Sequence, residues 1–111
     1  MEKISFDDWK KLEIKVGKVV EVSKVPDADK LYKILVDVGE ETPRQIVSSI
    51  VDYYTEEELQ GKNICVITNL APAKFRGVES NGMLLAAGNA DHTEVILLTP
   101  EKDIAPGSSI S

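Results

Sequence analysis

The sequence has only one cysteine and one histidine, and it contains no glycine-rich phosphate loop. Cys65 lies in an apolar run, so the sequence offers no framework of disulfide bonds and does not indicate secretion. Cys65 and His92 together could give a zinc ion only two ligands, fewer than zinc sites use. Asp27 and Asp29 are better interpreted as turn residues than as metal ligands. We therefore predict a non-catalytic protein without a metal or other cofactor.

Long apolar runs are also missing. No run approaches the roughly 20 residues that a membrane span needs, and the N-terminal segment MEKISFDDWKK has no apolar signal core. The apolar fraction of 42% and the charged fraction of 29% are near the averages for globular proteins. A chain of 111 residues is long enough for one modest core. We expect a single domain over residues 1–111, in a soluble cytoplasmic protein.

The apolar pattern predicts mostly β-strands. Residues 14–25 alternate apolar and polar side chains, which is typical of a strand, and Gly17 allows a bulge. LYKILVDVG from Leu31 and RQIVSSIV from Arg44 are short, rich in apolar residues and bounded by turn residues. NICVITN, MLLAAG and EVILLT read as later strands.

Two short helices interrupt these strands. ISFDDWKKL begins with Ser5 as its N-cap, and YTEEELQG begins with a capping box formed by Thr55 and Glu58. The second helix falls between the third and fourth strands. The pattern suits an all-β fold, namely a five-stranded OB-fold barrel with a short N-terminal helix and extra C-terminal β elements, although other small barrels share it.

The net charge of −6 is regional. Residues 37–58 carry seven acidic side chains and one base, Arg44, whereas residues 61–90 carry three cations and one acid. Screening limits the attraction of phosphates to a Debye length of about 8–10 Å, so the local balance matters more than the total. The total still argues against a strong sequence-blind binder of nucleic acid.

Three motifs carry a resemblance to a known family: PDADKLY (residues 26–32), RQIVSSI (44–50) and NLAPAKFRGVESNGMLLAAG (69–88). Through them the chain resembles the tRNA-binding domain family over nearly its whole length. Such OB-fold modules occur at the C-terminus of bacterial methionyl-tRNA synthetases, in EMAP II-like cofactors and as free-standing proteins. Val25, Ser49 and Asn81 depart from residues common in the family, and none of the departures removes a cation.

The resemblance implies a set of tRNA-binding residues. These are Lys74, Arg76, Lys30, Ser80, Asn81 and Lys18. Lys74 and Arg76 would bind phosphates from a loop between Pro72 and Gly77; the alternative is a solvated loop with ordinary surface charges. Ser80 and Asn81 could bond to phosphate, ribose or base edges, or could simply form a turn before Gly82. We expect Phe75 to anchor the loop more than to stack on a base.

By resemblance, the expected function is tRNA binding by shape and phosphate contacts, as the β subunit or a free-standing cofactor of methionyl-tRNA synthetase. A homodimer is the expected assembly, with the synthetase as a further partner. Two alternatives stay open: a peptide-binding chaperone, as in a secretion-linked branch of the same family, and a module that only assembles synthetase subunits.

Overall fold

A computed structural model describes residues 1–111 as ten mostly short strands and two one-turn helices. The helices are α1 (Phe6–Trp9) and α2 (Glu56–Leu59). The strands are β1 (Ile14–Val25), β2 (Ala28–Asp37), β3 (Arg44–Ser48), β4 (Asn63–Ile67), β5 (Ala73–Phe75), β6 (Val78–Ser80), β7 (Met83–Leu84), β8 (Ala86–Gly88), β9 (Val95–Leu97) and β10 (Ser109–Ile110). The predicted all-β class with two short helices is confirmed. Neither helix is long and apolar enough to cross a membrane.

One antiparallel sheet organises the fold, in the order β3-β2-β1-β4-β7, with β10 added to the start of β1. Strand β1 pairs with three strands: residues 14–15 with β10, residues 14–18 with β4 and residues 18–25 with β2. The change of partner lies beside a register shift between Val19 and Glu21, which allows a long strand to bend around the core. Gly17 is buried at this bend, where an added Cβ would come within 2.5 Å of Val36 Cγ1.

The hydrophobic core lies on one face of this sheet. Alternate residues of β2, namely Tyr32, Ile34 and Val36, are buried there beside Ile46 of β3 and residues of β4. Helix α2 contributes one fully buried side chain, Leu59. The period-two pattern that predicted these strands is therefore the pattern of core contacts.

The helix starts are as predicted. The Ser5 hydroxyl accepts a hydrogen bond from Asp8 N at 3.1 Å, and Thr55 and Glu58 form the reciprocal capping box. Each helix is only four residues long, and α1 buries none of its side chains within this chain.

The sheet remains open between β3 and β7, because no strand ladder joins them. Residues 79–82 bridge this gap instead. Asn81 N donates to Gln45 O at 2.8 Å, and Gln45 Nε2 donates to Glu79 O at 2.8 Å. Single hydrogen bonds therefore join β3 to residues 79–81, where the predicted barrel would have a continuous ladder between β3 and β7.

The segment between Pro72 and Gly77, expected from the sequence to be a loop, lies in a further β-hairpin within residues 69–85. Strands β5 and β6 pair antiparallel from Ala73↔Ser80 to Phe75↔Val78, as a separate two-stranded sheet. The prediction of a loop was wrong for residues 73–75, which form β5. The strands of the hairpin have only three residues each, too few for a clear alternation of apolar and polar residues.

Candidate nucleic-acid interface

The β5–β6 hairpin turns through two residues, Arg76 and Gly77. Both have positive φ, 53° for Arg76 and 79° for Gly77, as a type I′ turn requires. This turn matches the twist of the two strands, so it holds the hairpin in a defined shape. A non-glycine residue in this conformation costs on the order of 1 kcal/mol, and such strain is concentrated at functional sites.

Two cations occupy the outer part of the hairpin. Lys74 and Arg76 are both exposed, and neither forms a salt bridge within the fold. Lys74 lies opposite Glu79 in the hairpin register without an ion pair between them. Their charged groups are therefore free to meet anions from solution.

Val78 anchors the hairpin to the body of the protein. Its side chain packs against a small apolar cluster of Val25, Ala28 and Val47, which Leu31 also covers. Phe75, expected to be the anchor, is 43% exposed and stands outside this cluster. The cluster lies where β1 turns into β2, so it brings the hairpin tip to that end of the sheet.

Ser80 and Asn81 join the hairpin to the edge of β3. Ser80 is buried, and its hydroxyl accepts from Val47 N at 2.9 Å and donates to Gly82 O at 3.1 Å. The backbone of Asn81 bonds to Gln45, while its half-exposed side-chain amide makes no hydrogen bond within the chain. The Ser80 hydroxyl thus holds the hairpin in place, and the Asn81 amide is available for a ligand.

Replacing Ser80 by Ala will destabilise the fold by about 1–3 kcal/mol, because the buried Val47 amide loses its only acceptor. Urea unfolding measures this loss. Asn81→Ala is the matched control: it removes a side chain that bonds to nothing in the fold, and we expect a change within about 0.5 kcal/mol. Equal losses in the two variants would contradict the role assigned to the Ser80 hydroxyl.

Lys30 lies near the same end of the sheet as the hairpin but is engaged within the chain. Its ammonium bonds to both carboxylate oxygens of Asp52, at 2.8 and 2.9 Å. These bonds raise the pKa of Lys30 above its usual value. A phosphate would have to compete with Asp52 for this cation.

Lys18 lies at the other end of the sheet. It pairs with Asp37, the last residue of β2, and with Asn63 of β4. From Leu31 beside the hairpin cluster to Asp37 the strand rises by about 20 Å. The structure therefore brings together Lys74, Arg76, Ser80 and Asn81, places Lys30 nearby, and leaves Lys18 apart.

Two basic residues near the hairpin were not among the sequence candidates. Lys33 lies opposite Val47 in the β2–β3 ladder, so the two side chains share one face of the sheet, and Val47 packs against Val78 of the hairpin. The alternation of residues along β2 could have indicated the face on which Lys33 lies.

Arg44 is half-buried at the start of β3, and its hydrogen bonds lower the pKa of the Glu40 carboxyl below its usual value. Arg44 also donates to the carbonyl oxygens of Thr68 and Asn81. No local pattern in the sequence indicates these partners.

The site contains no cluster of metal-binding side chains. No group of three or more His, Cys, Asp or Glu side chains is arranged to hold a metal ion. Cys65 is buried in β4, and burial raises the pKa of its thiol. The hairpin can bind an anionic surface through its cations and can offer the Asn81 amide for a hydrogen bond.

Residues 14–109 match the model of a family described as "Putative tRNA binding domain". The chain is 50% identical over 109 residues to the methionine–tRNA ligase of Archaeoglobus fulgidus; the match covers 98% of this chain and 16% of that protein. A crystal structure of a MetRS related protein from Pyrococcus horikoshii is 39% identical and covers 100% of both chains with a TM-score of 0.92. The CsaA chaperone protein of Picrophilus torridus is 31% identical, with 98% of this chain and 100% of that one covered and a TM-score of 0.87.

Proposed function

The chain belongs to the tRNA-binding domain family, and from this premise we propose that it binds tRNA with the β5–β6 hairpin as the main contact. Lys74 and Arg76 bind phosphates, and the Asn81 amide bonds to a phosphate, ribose or base edge. Ser80 keeps the hairpin on β3 without touching the RNA. A binding domain of this family is a non-catalytic module.

One observation carries the proposal: two cations without ion-pair partners stand on a hairpin whose shape and position are already determined. The I′ turn, the Val78 contact and the Ser80 hydrogen bonds hold these charges before RNA arrives. Less conformational entropy is then lost on binding than with a mobile loop. Phosphate contacts position a protein on RNA without reading its sequence, so recognition would follow the folded shape of tRNA.

The finer role proposed for the chain is that of an accessory to methionyl-tRNA synthetase in the cytoplasm, as its β subunit or as a free-standing cofactor. The chain spans about 16% of the length of the ligase that it matches. A module attached to a synthetase, covalently or by assembly, would raise the effective concentration of tRNA into the mM range. The apparent Michaelis constant for tRNA would fall while the chemical step stayed unchanged.

A mobility-shift titration with total tRNA at 50 and 200 mM salt tests the function. The proposal expects binding at the lower salt concentration and a clear loss of affinity at the higher one, because counterions are released from neutralised phosphates. Absence of a shift at 50 mM salt would refute tRNA binding. A protein that only assembled synthetase subunits would bind a partner protein and show no salt-dependent RNA affinity.

The likeness to a CsaA chaperone protein favours a second candidate, the binding of unfolded peptides. An extended, fluorescently labelled peptide in a polarisation assay, with tRNA as competitor, separates the two functions. Peptide binding with no RNA shift would support the chaperone alternative. Displacement of the peptide by tRNA would show that both ligands use one surface.

We also propose that two copies of the chain form a homodimer through the N-terminal helix and the adjoining C-terminal strand. Phe6, Trp9 and Leu12 remain exposed by 71%, 37% and 41%, and they line an open groove with Ile14 and Ile110. A four-residue helix with no buried side chain is marginal by itself, so a second copy that covers its apolar face would stabilise it. A twofold dimer would also present two hairpins to one tRNA.

Sedimentation equilibrium at micromolar concentration is expected to give twice the chain mass of 12.2 kDa. Trp9→Lys is expected to produce the monomer, because a charge in the covered apolar face opposes burial. Lys3→Glu, on an exposed residue of the N-terminal segment, serves as the control and should leave the dimer intact. A wild-type mass of one chain would contradict the proposed assembly.

A further inference from the structure

Arg44 makes four hydrogen bonds through one guanidinium group. Nη1 donates to Thr68 O at 2.6 Å and to Asn81 O at 3.1 Å. Nε and Nη2 donate to the two carboxylate oxygens of Glu40, at 2.8 and 2.9 Å. The side chain therefore links the start of β3 to the residue just before the hairpin segment and to the residue that follows β6.

Thr68 and Asn81 are the two roots of the hairpin. Between them the chain leaves the main sheet and forms the separate β5–β6 pair, and after Asn81 it continues into β7. No strand ladder fixes the orientation of this pair on β3, so the contacts at its base and along β6 must do so. Arg44 is the one side chain that bonds to the carbonyl groups of both roots.

Glu40 holds the guanidinium in the orientation that these carbonyl groups need. A bidentate pair with a carboxylate fixes the plane of an arginine side chain, which a lysine ammonium cannot reproduce. With Nε and Nη2 committed to Glu40, Nη1 is left pointing at the two roots. The side chain of Arg44 is 23% exposed, and four of its five N–H donors are bonded within the protein.

We propose that Arg44, oriented by Glu40, is a positioning residue that sets the angle of the RNA-binding hairpin on β3 by holding both of its roots. The inference rests on the proposed function, because it assigns a role in presenting Lys74 and Arg76 to tRNA. Arg44 itself makes no contact with the RNA. Its charge is neutralised by the two bonds to Glu40, and its other two hydrogen bonds go to backbone carbonyl groups.

Arg44→Lys tests this role because it keeps the charge and loses the fork of donors. Two amides report directly on the docking of the hairpin: Val47 N, which donates to Ser80 Oγ, and Asn81 N, which donates to Gln45 O. In the protein without RNA we expect both amides to exchange with deuterium at least about 10-fold faster, while amides in the β1–β2 ladder keep their rates. Exchange is followed residue by residue by NMR.

In the tRNA titration we expect Arg44→Lys to weaken binding by about 5- to 20-fold with an unchanged salt slope, because no phosphate contact is lost. Glu40→Gln, which disturbs the guanidinium more gently, should act in the same direction with smaller changes. Arg76→Lys is the matched control: it makes the same replacement at the hairpin tip and should leave the exchange of Val47 and Asn81 unchanged.

The possible results distinguish tRNA binding by the protein from the positioning role of Arg44. Failure of the wild-type protein to bind tRNA would refute the proposed function. Wild-type binding together with unchanged affinity and unchanged amide exchange in Arg44→Lys would refute only the positioning role. A fall of the salt slope by about 0.7–0.9 in Arg44→Lys would also overturn it, since that result identifies a direct phosphate contact.

Discussion

The double variant Lys74→Thr/Arg76→Asn is expected to bind tRNA roughly 30-fold more weakly than the wild type at low salt. Each exposed charge contact contributes up to about 1 kcal/mol, and about 1.4 kcal/mol corresponds to a tenfold change in affinity. The slope of log K against log salt should fall in magnitude by about 1.4–1.8, because each lost phosphate contact removes about 0.7–0.9. Mobility-shift titrations at three or more salt concentrations measure both quantities.

These replacements are chosen to leave the hairpin folded. Thr suits a strand position, and Asn tolerates the positive φ that Arg76 adopts, so the free energy of unfolding should stay within about 0.5 kcal/mol of the wild type. Loss of binding would then follow from the charges. Lys18→Thr/Lys102→Asn is the matched control, because it removes two exposed cations. Lys18 pairs with Asp37 at the end of β2 opposite the hairpin, and Lys102 precedes Asp103, which lines a groove together with Lys18.

The control should change the tRNA affinity by less than about threefold, since exposed charges farther away than about 8–10 Å are screened. Several different tRNAs should respond alike to the hairpin variant, because phosphates are common to all of them. If one tRNA lost about 1–3 kcal/mol more than the others, Arg76 would be reading a base edge. Unchanged affinity and slope in the hairpin variant would exclude the hairpin as the contact surface.

The parts of the fold that were predictable from sequence depend on contacts between near neighbours in the chain. The capping box joins Thr55 to Glu58 across one helical turn, and the alternation in β1 and β2 follows from one sheet face being buried. In both cases the residue pattern and the physical cause lie within the same short segment.

The β5–β6 hairpin was not predicted because its turn and its strands lack the usual sequence patterns. A type I′ turn is usually indicated by Asn-Gly or Asp-Gly, whereas here Arg76 occupies the first position. Three-residue strands give too few alternations to detect. The family resemblance predicts a binding role for this segment, but it does not indicate that the segment forms a hairpin.

The roles of individual site residues depended on contacts between distant parts of the chain. The sequence suggests Ser80 as a ligand contact. In the structure Ser80 is buried, and its hydroxyl accepts a hydrogen bond from Val47 N at the edge of β3. Lys30 looks free, yet Asp52 lies 22 residues away in the chain and binds it. Both contacts depend on how β2 and β3 pack against later segments of the chain. No local sequence pattern indicates that packing.

The second large effect concerns Gly82, where the hairpin returns to the sheet. We expect Gly82→Ala to lower the free energy of unfolding by about 2–5 kcal/mol, the sum of backbone strain and overpacking. Gly82 has φ of +147°, and an added Cβ would lie 2.9 Å from Ile67 O, a backbone atom. Ile67 pairs with Met83, so this oxygen cannot retreat without disturbing the β4–β7 ladder.

Gly77→Ala is the control that separates the cost of backbone strain from the cost of overpacking. Gly77 also has a positive φ, +79°, but an added Cβ would meet nothing within 4 Å. It should therefore lose only the strain of the left-handed conformation, about 1–2 kcal/mol. Urea unfolding of the two variants should differ by at least about 1 kcal/mol, with Gly82→Ala the less stable. Equal losses would show that the chain at Gly82 can move aside, and the hairpin root would then be less rigid than the bonds of Arg44 and Ser80 imply.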